Sequence, residues 1–587
     1  MTRPTVPSLP LPRAALVGAR AYRAWPARER CDLLLDANEG PEPPAEWLLA
    51  AAKATDEARR YPAAGPLEQR LAERFNISHD RVLVSAGGDD TLDRCCRAFL
   101  EPGRKIVLAR PTFEMIERYA TLAGGEIDAA PWTIGEPYPE AEVLSRIDEH
   151  TGVVAIVSPN NPTGATVPNE TVRGLIDRAA EVGALVVADL AYAEFDENDP
   201  TAEWLEHPNV VVVRTFSKAW GLAGARVGYA LGDAAVIEWL RAAGGPFTVS
   251  TLSLAVAAEA LERGDRVMTE TVAQVTRSRT HLTEVLERVG ARPVPSAANF
   301  VLARLRDADQ AAWFVGAMAS LGIAVRGYPA SNELAHAVRI TCPTAAADTD
   351  RVVRTIATAM RPEAILFDLD GVIADVSRSY RKAILDTAAT FGATISPDEV
   401  AEAKAAGDAN NDWVLTLRLL ANRGVTTSLE EVTRRFEVIY QGTDQSPGLH
   451  ATETLLCTRD TLEQLARRLP LAVVTGRPRR DAERFLTQHG LTDLFQTLVC
   501  MEEGPPKPDP TPVRIAMERL GLSRACASKA WMIGDTPDDI RAAAATGVVP
   551  IGIPAPGEDT AAAVRTLETV GAARVIRDLT ELQGLLP

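Results

Sequence analysis

Lys218 follows two hydroxyl side chains, Thr215 and Ser217, at the end of the apolar run Val210–Val213. An amine in that position can form a Schiff base with an aldehyde cofactor. Arg226 comes eight residues later, beyond Gly221 and Gly224. Hydroxyls and a guanidinium suit a phosphate dianion, which arginine can bind bidentately. Upstream, Ser85-Ala86-Gly87-Gly88-Asp89-Asp90 joins an apolar run to a helical stretch. A glycine-rich turn into a helix start offers free backbone amides to phosphate, which puts Gly88 and Asp89 at the same pole. Asn161 follows Val153–Val157, and Asp189 and Tyr192 follow Ala184–Ala188. Asp189 can keep a ring nitrogen protonated, so that the ring serves as an electron sink. Asn161 and Tyr192 can hydrogen-bond a phenolic oxygen on that ring, and Phe113 can stack on its face. Each segment alone has a plainer reading. Asn-Pro-Thr-Gly is a common turn, a lone lysine is usually a solvated surface residue, and Phe113 alone is as well explained as core. Their joint presence outweighs those readings.

A second group begins at Asp368-Leu369-Asp370, after the run Ala364–Phe367. In extended chain, residues i and i+2 point the same way. One carboxylate can then attack phosphorus while the other manages the leaving-group proton. Thr475, after Leu471–Val474, offers a hydroxyl to a phosphate oxygen, and Lys507 offers a fixed positive charge. Asp535 and Asp539 follow Trp531–Ile533. Hard carboxylate oxygens beside a phosphate suit Mg²⁺. A polar strand-end turn is the plainer reading of Asp368-Leu369-Asp370, and it loses weight beside the other segments.

The elements that must carry these residues are short runs, apolar at every position, with amphipathic helical stretches between them. Runs without alternation suit strands buried on both faces of a parallel sheet. The chain therefore reads as α/β throughout, with ligands beyond the carboxyl ends of the strands. At 587 residues, the usual domain size of about 150 residues suggests about four compact units. The main boundary falls at Met360-Arg361-Pro362-Glu363, between a helical stretch over Thr349–Met360 and a strand at Ala364. Pro362 would end that helix. This divides the chain into 1–360 and 363–587, with a small unit at about 270–360 and a mostly helical insertion at about 377–455. The two parts are expected to have separate cores.

Net charge is -17, which argues against nucleic acid as a partner but leaves small anions open. The seven cysteines are scattered without metal-ligand spacing, as expected of reduced thiols in a cytoplasm. The beginning of the chain lacks the apolar core of a signal peptide. No apolar run reaches the roughly 18 residues of a membrane helix, so no membrane partner is expected.

Residues 20–360 resemble the fold-type-I aminotransferases, and most closely the histidinol-phosphate aminotransferase family, in the order and spacing of Asn161, Asp189, Tyr192, Lys218 and Arg226. Leu35-Asp36-Ala37-Asn38-Glu39-Gly40-Pro41, Arg60-Tyr61-Pro62, Ser296-Ala297-Ala298-Asn299-Phe300, Val325-Arg326 and Val338-Arg339-Ile340-Thr341 extend the likeness. The resemblance implies a large and a small domain, pyridoxal 5'-phosphate on Lys218, and a homodimer in which Tyr61 reaches the neighbouring subunit's cofactor phosphate. It implies that Asn38 and Arg339 hold the substrate carboxylate when glutamate is the amino donor. Tyr22 and Arg326, with Tyr61 nearby, would meet a substrate phosphate. Leu190 stands where the family commonly has an acid, Ala21–Pro26 only loosely follows its tyrosine-proline-glycine segment, and Thr248 replaces a usual asparagine.

Residues 364–587 look like the haloacid dehalogenase superfamily, with its four motifs in order. That likeness implies a Rossmann-like core with a helical cap. Asp368 would be the nucleophile and Asp370 the general acid/base, with Thr475 and Lys507 on the phosphoryl group. Asp368, Asp535 and the backbone carbonyl of Asp370 would hold Mg²⁺, with Asp539 supporting. The two resemblances together imply transamination of imidazole acetol phosphate with glutamate, followed by hydrolysis of histidinol phosphate. Two alternatives stay open: another phosphorylated substrate in specialised metabolism, or one domain catalytically idle and regulatory.

Overall fold

A computed structural model describes residues 13, 16 and 30–586, apart from 55–58, 330–331, 408–410, 523–528 and 557–559. The apolar runs become the central strands of two sheets. The first sheet runs in the order Val82–Ser85, Gly228–Gly232, Val210–Thr215, Leu185–Asp189, Thr151–Val157, Lys105–Arg110, Glu126–Pro131. Gly228–Gly232 is antiparallel to both neighbours and the other pairings are parallel. Thr151–Val157, Leu185–Asp189 and Val210–Thr215 are buried at every position. Their β-branched residues fit a pleated surface covered on both sides.

The helix Asp265–Arg288 leads from this layer to a smaller one. There Phe300–Arg304 lies between Ala337–Thr341 and Arg292–Pro293, antiparallel to both. Leu33–Leu35 pairs in parallel with Ile323–Val325, which stitches an early segment to a late one and brings Asn38 near Arg339.

The helix Ala346–Met360 ends just before Pro362, and the second sheet starts at Ala364. Its order is Phe495–Val499, Leu471–Val474, Ala364–Phe367, Ala530–Gly534, Val549–Gly552, Arg574–Val575, all parallel. Four helices, Tyr380–Thr390, Pro397–Ala405, Asp412–Asn422 and Leu429–Gln441, are inserted after its first strand. The two connections to them meet where Ala374–Asp375 pairs antiparallel with Thr454–Leu455.

The expectation of separate cores fails at the junction. One buried apolar cluster runs from the smaller layer into the second sheet. Trp313 and Trp531, both fully buried, meet edge to face with centroids 4.7 Å apart. The indole of Trp531 donates to Thr358 O at 2.9 Å, and that of Trp313 donates to Ala359 O at 3.1 Å. These carbonyls belong to the last turn of Ala346–Met360, which has no intrahelical partners for them. Arg574 grips both carboxylate oxygens of Asp309 at 2.9 Å. A Cβ on Gly316 would lie 2.1 Å from Ala573 O, so only glycine allows this approach. Trp531→Ala should therefore cost about 3–5 kcal/mol and lower the urea midpoint of both halves together. Separate transitions with the first half unmoved would contradict a shared core.

Candidate active sites

In the first sheet, the ends of three neighbouring strands deliver the reactive groups. Thr215 ends its strand, and its hydroxyl accepts from Ser217 N at 3.1 Å and donates to Ser217 Oγ at 2.9 Å. Lys218 Nζ donates to Asn38 O at 3.0 Å and Ala37 O at 3.3 Å, and it lies 5.5 Å from the Tyr192 ring centroid. Asp189 ends the adjacent strand and is 6% exposed. Its Oδ1 accepts from Ala191 N at 3.0 Å, and it makes no ion pair among the described residues. Burial pushes its carboxyl up to about 6; the Asp89 charge adds to the rise, and Ala191 N–H and Lys218 oppose it. Asn161 follows the third strand, and its Oδ1 accepts from Arg339, whose other nitrogen donates to Asp36 O at 2.8 Å. Asn38 Nδ2 donates to Tyr192 Oη at 3.0 Å.

A pole of hydroxyl, guanidinium and glycine turn lies beyond these groups. Arg226 donates to Ser217 Oγ at 3.4 Å and to Asp89 Oδ2 at 2.9 Å. Gly87, at φ +80°, turns the chain into the helix Gly88–Phe99. A Cβ there would sit 2.6 Å from the Arg226 guanidinium and fill the cradle.

Gly88, Asp89, Phe113, Asn161, Asp189, Tyr192, Thr215, Ser217, Lys218 and Arg226 line one cavity of about 840 Å³ together with Asn38, Arg326 and Arg339. Tyr61 does not join them. It is 81% exposed and stacks on Phe247 with centroids 4.8 Å apart. Tyr22 lies outside the described residues. Tyr328, absent from the sequence reading, lines the same wall, and its buried hydroxyl has no hydrogen-bond partner among the described residues. Its position two residues after Arg326 was the available signal. The cavity thus offers an amine, a buried carboxylate with no ion pair among the described residues, and a glycine cradle closed by Arg226. That donor set fits a phosphorylated pyridine aldehyde.

The second site gathers at the ends of Ala364–Phe367, Leu471–Val474 and Ala530–Gly534. Lys507 Nζ lies 2.8 Å from Asp368 Oδ1, 2.5 Å from Asp539 Oδ1 and 3.0 Å from Val474 O. Carboxylate oxygens of Asp368, Asp535 and Asp539 lie within 4.8 Å of one another. Burial, with the neighbouring carboxylates, pushes Asp368 up to about 7 and Asp535 well above its ordinary range. Such crowding fits a hard divalent cation. Asp539 is also fixed by a capping box, accepting from Thr536 N at 3.0 Å and Thr536 Oγ1 at 2.6 Å. Thr475 is 5% exposed, next to the lysine's carbonyl partner.

Asp370 departs from expectation. The strand stops at Phe367 and the chain bends at Leu369, so the two aspartates do not share an extended run. The Asp370 carboxylate stands outside the acidic group and accepts from Arg477 Nε. As a metal ligand, only its main chain is in question. Arg477 and Glu453 were missed, although Arg477 directly follows Thr475-Gly476. The ion pair Lys404–Asp412, at 3.0 Å, comes from the inserted helices. The Lys404 charge acts on Asp535 and the Asp412 charge on Asp370.

Residues 32–356 match the family model "Aminotransferase class I and II", which is more than half of the chain. The chain belongs to that family. Residues 365–553 match the model "Haloacid dehalogenase-like hydrolase". Both resemblances read from the sequence are therefore met, as is the α/β fold. The histidinol-phosphate aminotransferase of Erythrobacter litoralis is 33% identical over 354 residues, covering 58% of this chain and 95% of that protein. The imidazoleglycerol-phosphate dehydratase of Phytophthora nicotianae is 45% identical over 240 residues, covering 38% of this chain and 52% of that protein. This chain thus spans about half the length of that relative. The crystal structure of histidinol-phosphate aminotransferase from Sinorhizobium meliloti in complex with pyridoxal-5'-phosphate superposes with a TM-score of 0.54 at 26% identity, covering 59% of this chain and 97% of that one. The aminotransferase fold implies pyridoxal phosphate, in agreement with the donor set. Among the described residues no helix is long and apolar enough to cross a membrane.

The raised Asp189 carboxyl gives a test in the cofactor-free protein. Its folded value of about 6 exceeds the ordinary 3.8, so the folded chain favours the protonated form. That contribution is full below the unfolded value and is lost as pH rises through the folded one. Asp189→Asn removes the loss, so its melting temperature should gain on wild type between about pH 4 and about pH 7. A constant difference across that range would show that Asp189 is not strained by burial.

Proposed function

We propose that the first cavity transfers an amino group from glutamate to imidazole acetol phosphate, giving histidinol phosphate, and that the second site hydrolyses that ester. The observation that carries the reading is the pairing, in one chain, of two sites that each hold a phosphate-binding pole. The substrate is drawn from the Erythrobacter relative, matched over nearly its whole length.

Pyridoxal phosphate, when bound, would supply the electron sink for moving the amino group. Gly88, Thr215, Ser217 and Arg226 would hold its phosphate, and Asp189 would keep its ring nitrogen protonated. Asn161 and Tyr192 would bind the ring oxygen, and Phe113 would cover one face. Lys218 Nζ would take and return the proton at the substrate α-carbon. Arg339 would exchange Asn161 for the substrate carboxylate, with Asn38 beside it. Arg326 and Tyr22 would meet the substrate phosphate. The exposed Tyr61–Phe247 pair supports a homodimer in which Tyr61 serves the partner's site.

In the second site, Asp368, Asp535 and the Asp370 carbonyl would hold Mg²⁺, which would screen the phosphoryl oxygens, with Asp539 and Lys507 behind them. Thr475 and Lys507 would bind those oxygens. A carboxylate oxygen of Asp368 would form a bond to phosphorus as the ester P–O bond breaks, and Asp370 would protonate the leaving oxygen. The inserted helices would form a cap that excludes bulk water. We place the chain in the cytoplasm, where both reactions find their metabolites.

Asp368→Asn keeps the side chain's volume and removes the nucleophile. It should abolish phosphate release while 2-oxoglutarate formation continues, and EDTA should do the same. Phosphate release at the wild-type rate would rule out the assignment.

The substrate is tested by kcat/KM for histidinol phosphate against sugar phosphates, phosphoserine and other phosphorylated amino alcohols. A preference of at least about tenfold, or about 1.4 kcal/mol of transition-state discrimination, is expected. A flat profile, or preference for another ester, would favour a different pathway.

A further inference from the structure

We propose that Arg477 is a positioning residue of the second site, which fixes the carboxyl group of Asp370 and ties it to Glu453 at the foot of the inserted helices. The inference deepens the hydrolase reading and rests on Asp370 as its general acid. Arg477 is 1% exposed at the side chain. Its Nε donates to Asp370 Oδ1, and its Nη1 donates to Glu453 Oε2 at 2.9 Å. The guanidinium carbon stands 5.0 Å from the Tyr380 ring centroid and 5.2 Å from that of Phe485. A buried charge persists only when it is paired and hydrogen-bonded. Here two carboxylates and two aromatic faces hold the guanidinium in one place.

That place is where the two connections to the insertion meet. Asp370 begins the outgoing one, bridged to Ala374, and Glu453 ends the returning one, just before Thr454–Leu455 pairs with Ala374–Asp375. Glu453 Oε1 also accepts from Tyr440 Oη at 3.0 Å, and Tyr440 stacks on Tyr380 with centroids 4.2 Å apart. Tyr380 opens the first inserted helix and Tyr440 lies at the end of the last. A shift of the insertion thus acts on Glu453, on the guanidinium and on Asp370 in turn.

The chemical consequence is local. With Oδ1 accepting from Arg477, a proton on Asp370 belongs on Oδ2. In the first half-reaction an Asp368 oxygen bonds to phosphorus, the ester P–O bond breaks, and the leaving oxygen takes the proton from Asp370 Oδ2. In the second, water attacks the same phosphorus, gives its proton to Asp370, and the bond to Asp368 breaks. An alkoxide leaving group needs the proton at the moment of cleavage, and p-nitrophenolate does not. Misaligning Asp370 therefore harms alkyl esters selectively.

The experiment measures kcat of the full chain with Mg²⁺ for histidinol phosphate and glycerol phosphate against p-nitrophenyl phosphate. Wild type, Arg477→Lys and Glu453→Gln are compared, with transamination by the same preparations reporting that the chain is folded. The alkyl-to-aryl ratio should fall at least about tenfold in Arg477→Lys, within the range that general acids supply, and should fall in Glu453→Gln as well. A ratio unchanged in both variants, with the esters falling together or not at all, overturns the positioning role. Should Arg477→Lys fail to fold, the ratio in Glu453→Gln decides alone. Wild type that releases no phosphate from any ester refutes the hydrolase reading instead.

Discussion

A buried ionised group costs several kcal/mol unless another charge or a hydrogen bond meets it, and both sites are organised by that cost. The central strands of both sheets are buried at every position. Polar chemistry is thereby driven to their carboxyl ends, where backbone amides, helix starts and bound ions can meet it. Three carboxylates in the second site, Asp368, Asp535 and Asp539, lie together, and Lys507 pairs with two of them, Asp368 and Asp539. Burial and mutual repulsion still raise Asp368 and Asp535, a strain that a divalent cation would relieve. In the first site Asp189 is buried without an ion pair among the described residues, and Arg226 closes the Gly87 cradle while paired with Asp89. A cofactor with a cationic ring and an anionic tail would meet Asp189 with one end and compete with Asp89 for Arg226 with the other.

The same constraint explains what the sequence made legible. A strand buried on both faces must be apolar throughout, so its last residue is conspicuous. Asp189, Thr215, Asp368 and Thr475 could be found in this way because each sits at or just beyond such a run. Leu471–Val474 and Ala364–Phe367, read as apolar runs, are strands with those bounds. Residues whose meaning depends on distant partners were not legible. Arg477 meets Asp370 across 107 positions, and no local pattern encodes that pairing. The union of Leu33–Leu35 with Ile323–Val325 spans most of the first half of the chain. Tyr61 does not line the cavity of its own chain and stacks on Phe247 at the surface, and the role proposed for it depends on a second chain. The geometry of Asp368 and Asp370 was misjudged for a different reason. Strand periodicity ends at Phe367, and the backbone bends at Leu369 between the two aspartates.

The junction follows from hydrogen-bond accounting. A helix leaves its last carbonyls without partners, and Ala346–Met360 ends inside protein, where water cannot supply them. Thr358 receives an indole N–H from Trp531 and Ala359 receives one from Trp313, one donor from each side of the boundary. The rings that carry these donors pack on each other, so the polar and apolar demands of the junction are met by the same two residues. Ala346–Met360 belongs structurally to both halves, although in sequence it closes the first. The peptide through Arg361 and Pro362 is therefore the lesser part of the join. Cutting it would leave both tryptophans buried and both carbonyls capped, whereas removing either indole would leave a buried carbonyl unpaired and open a cavity between the halves.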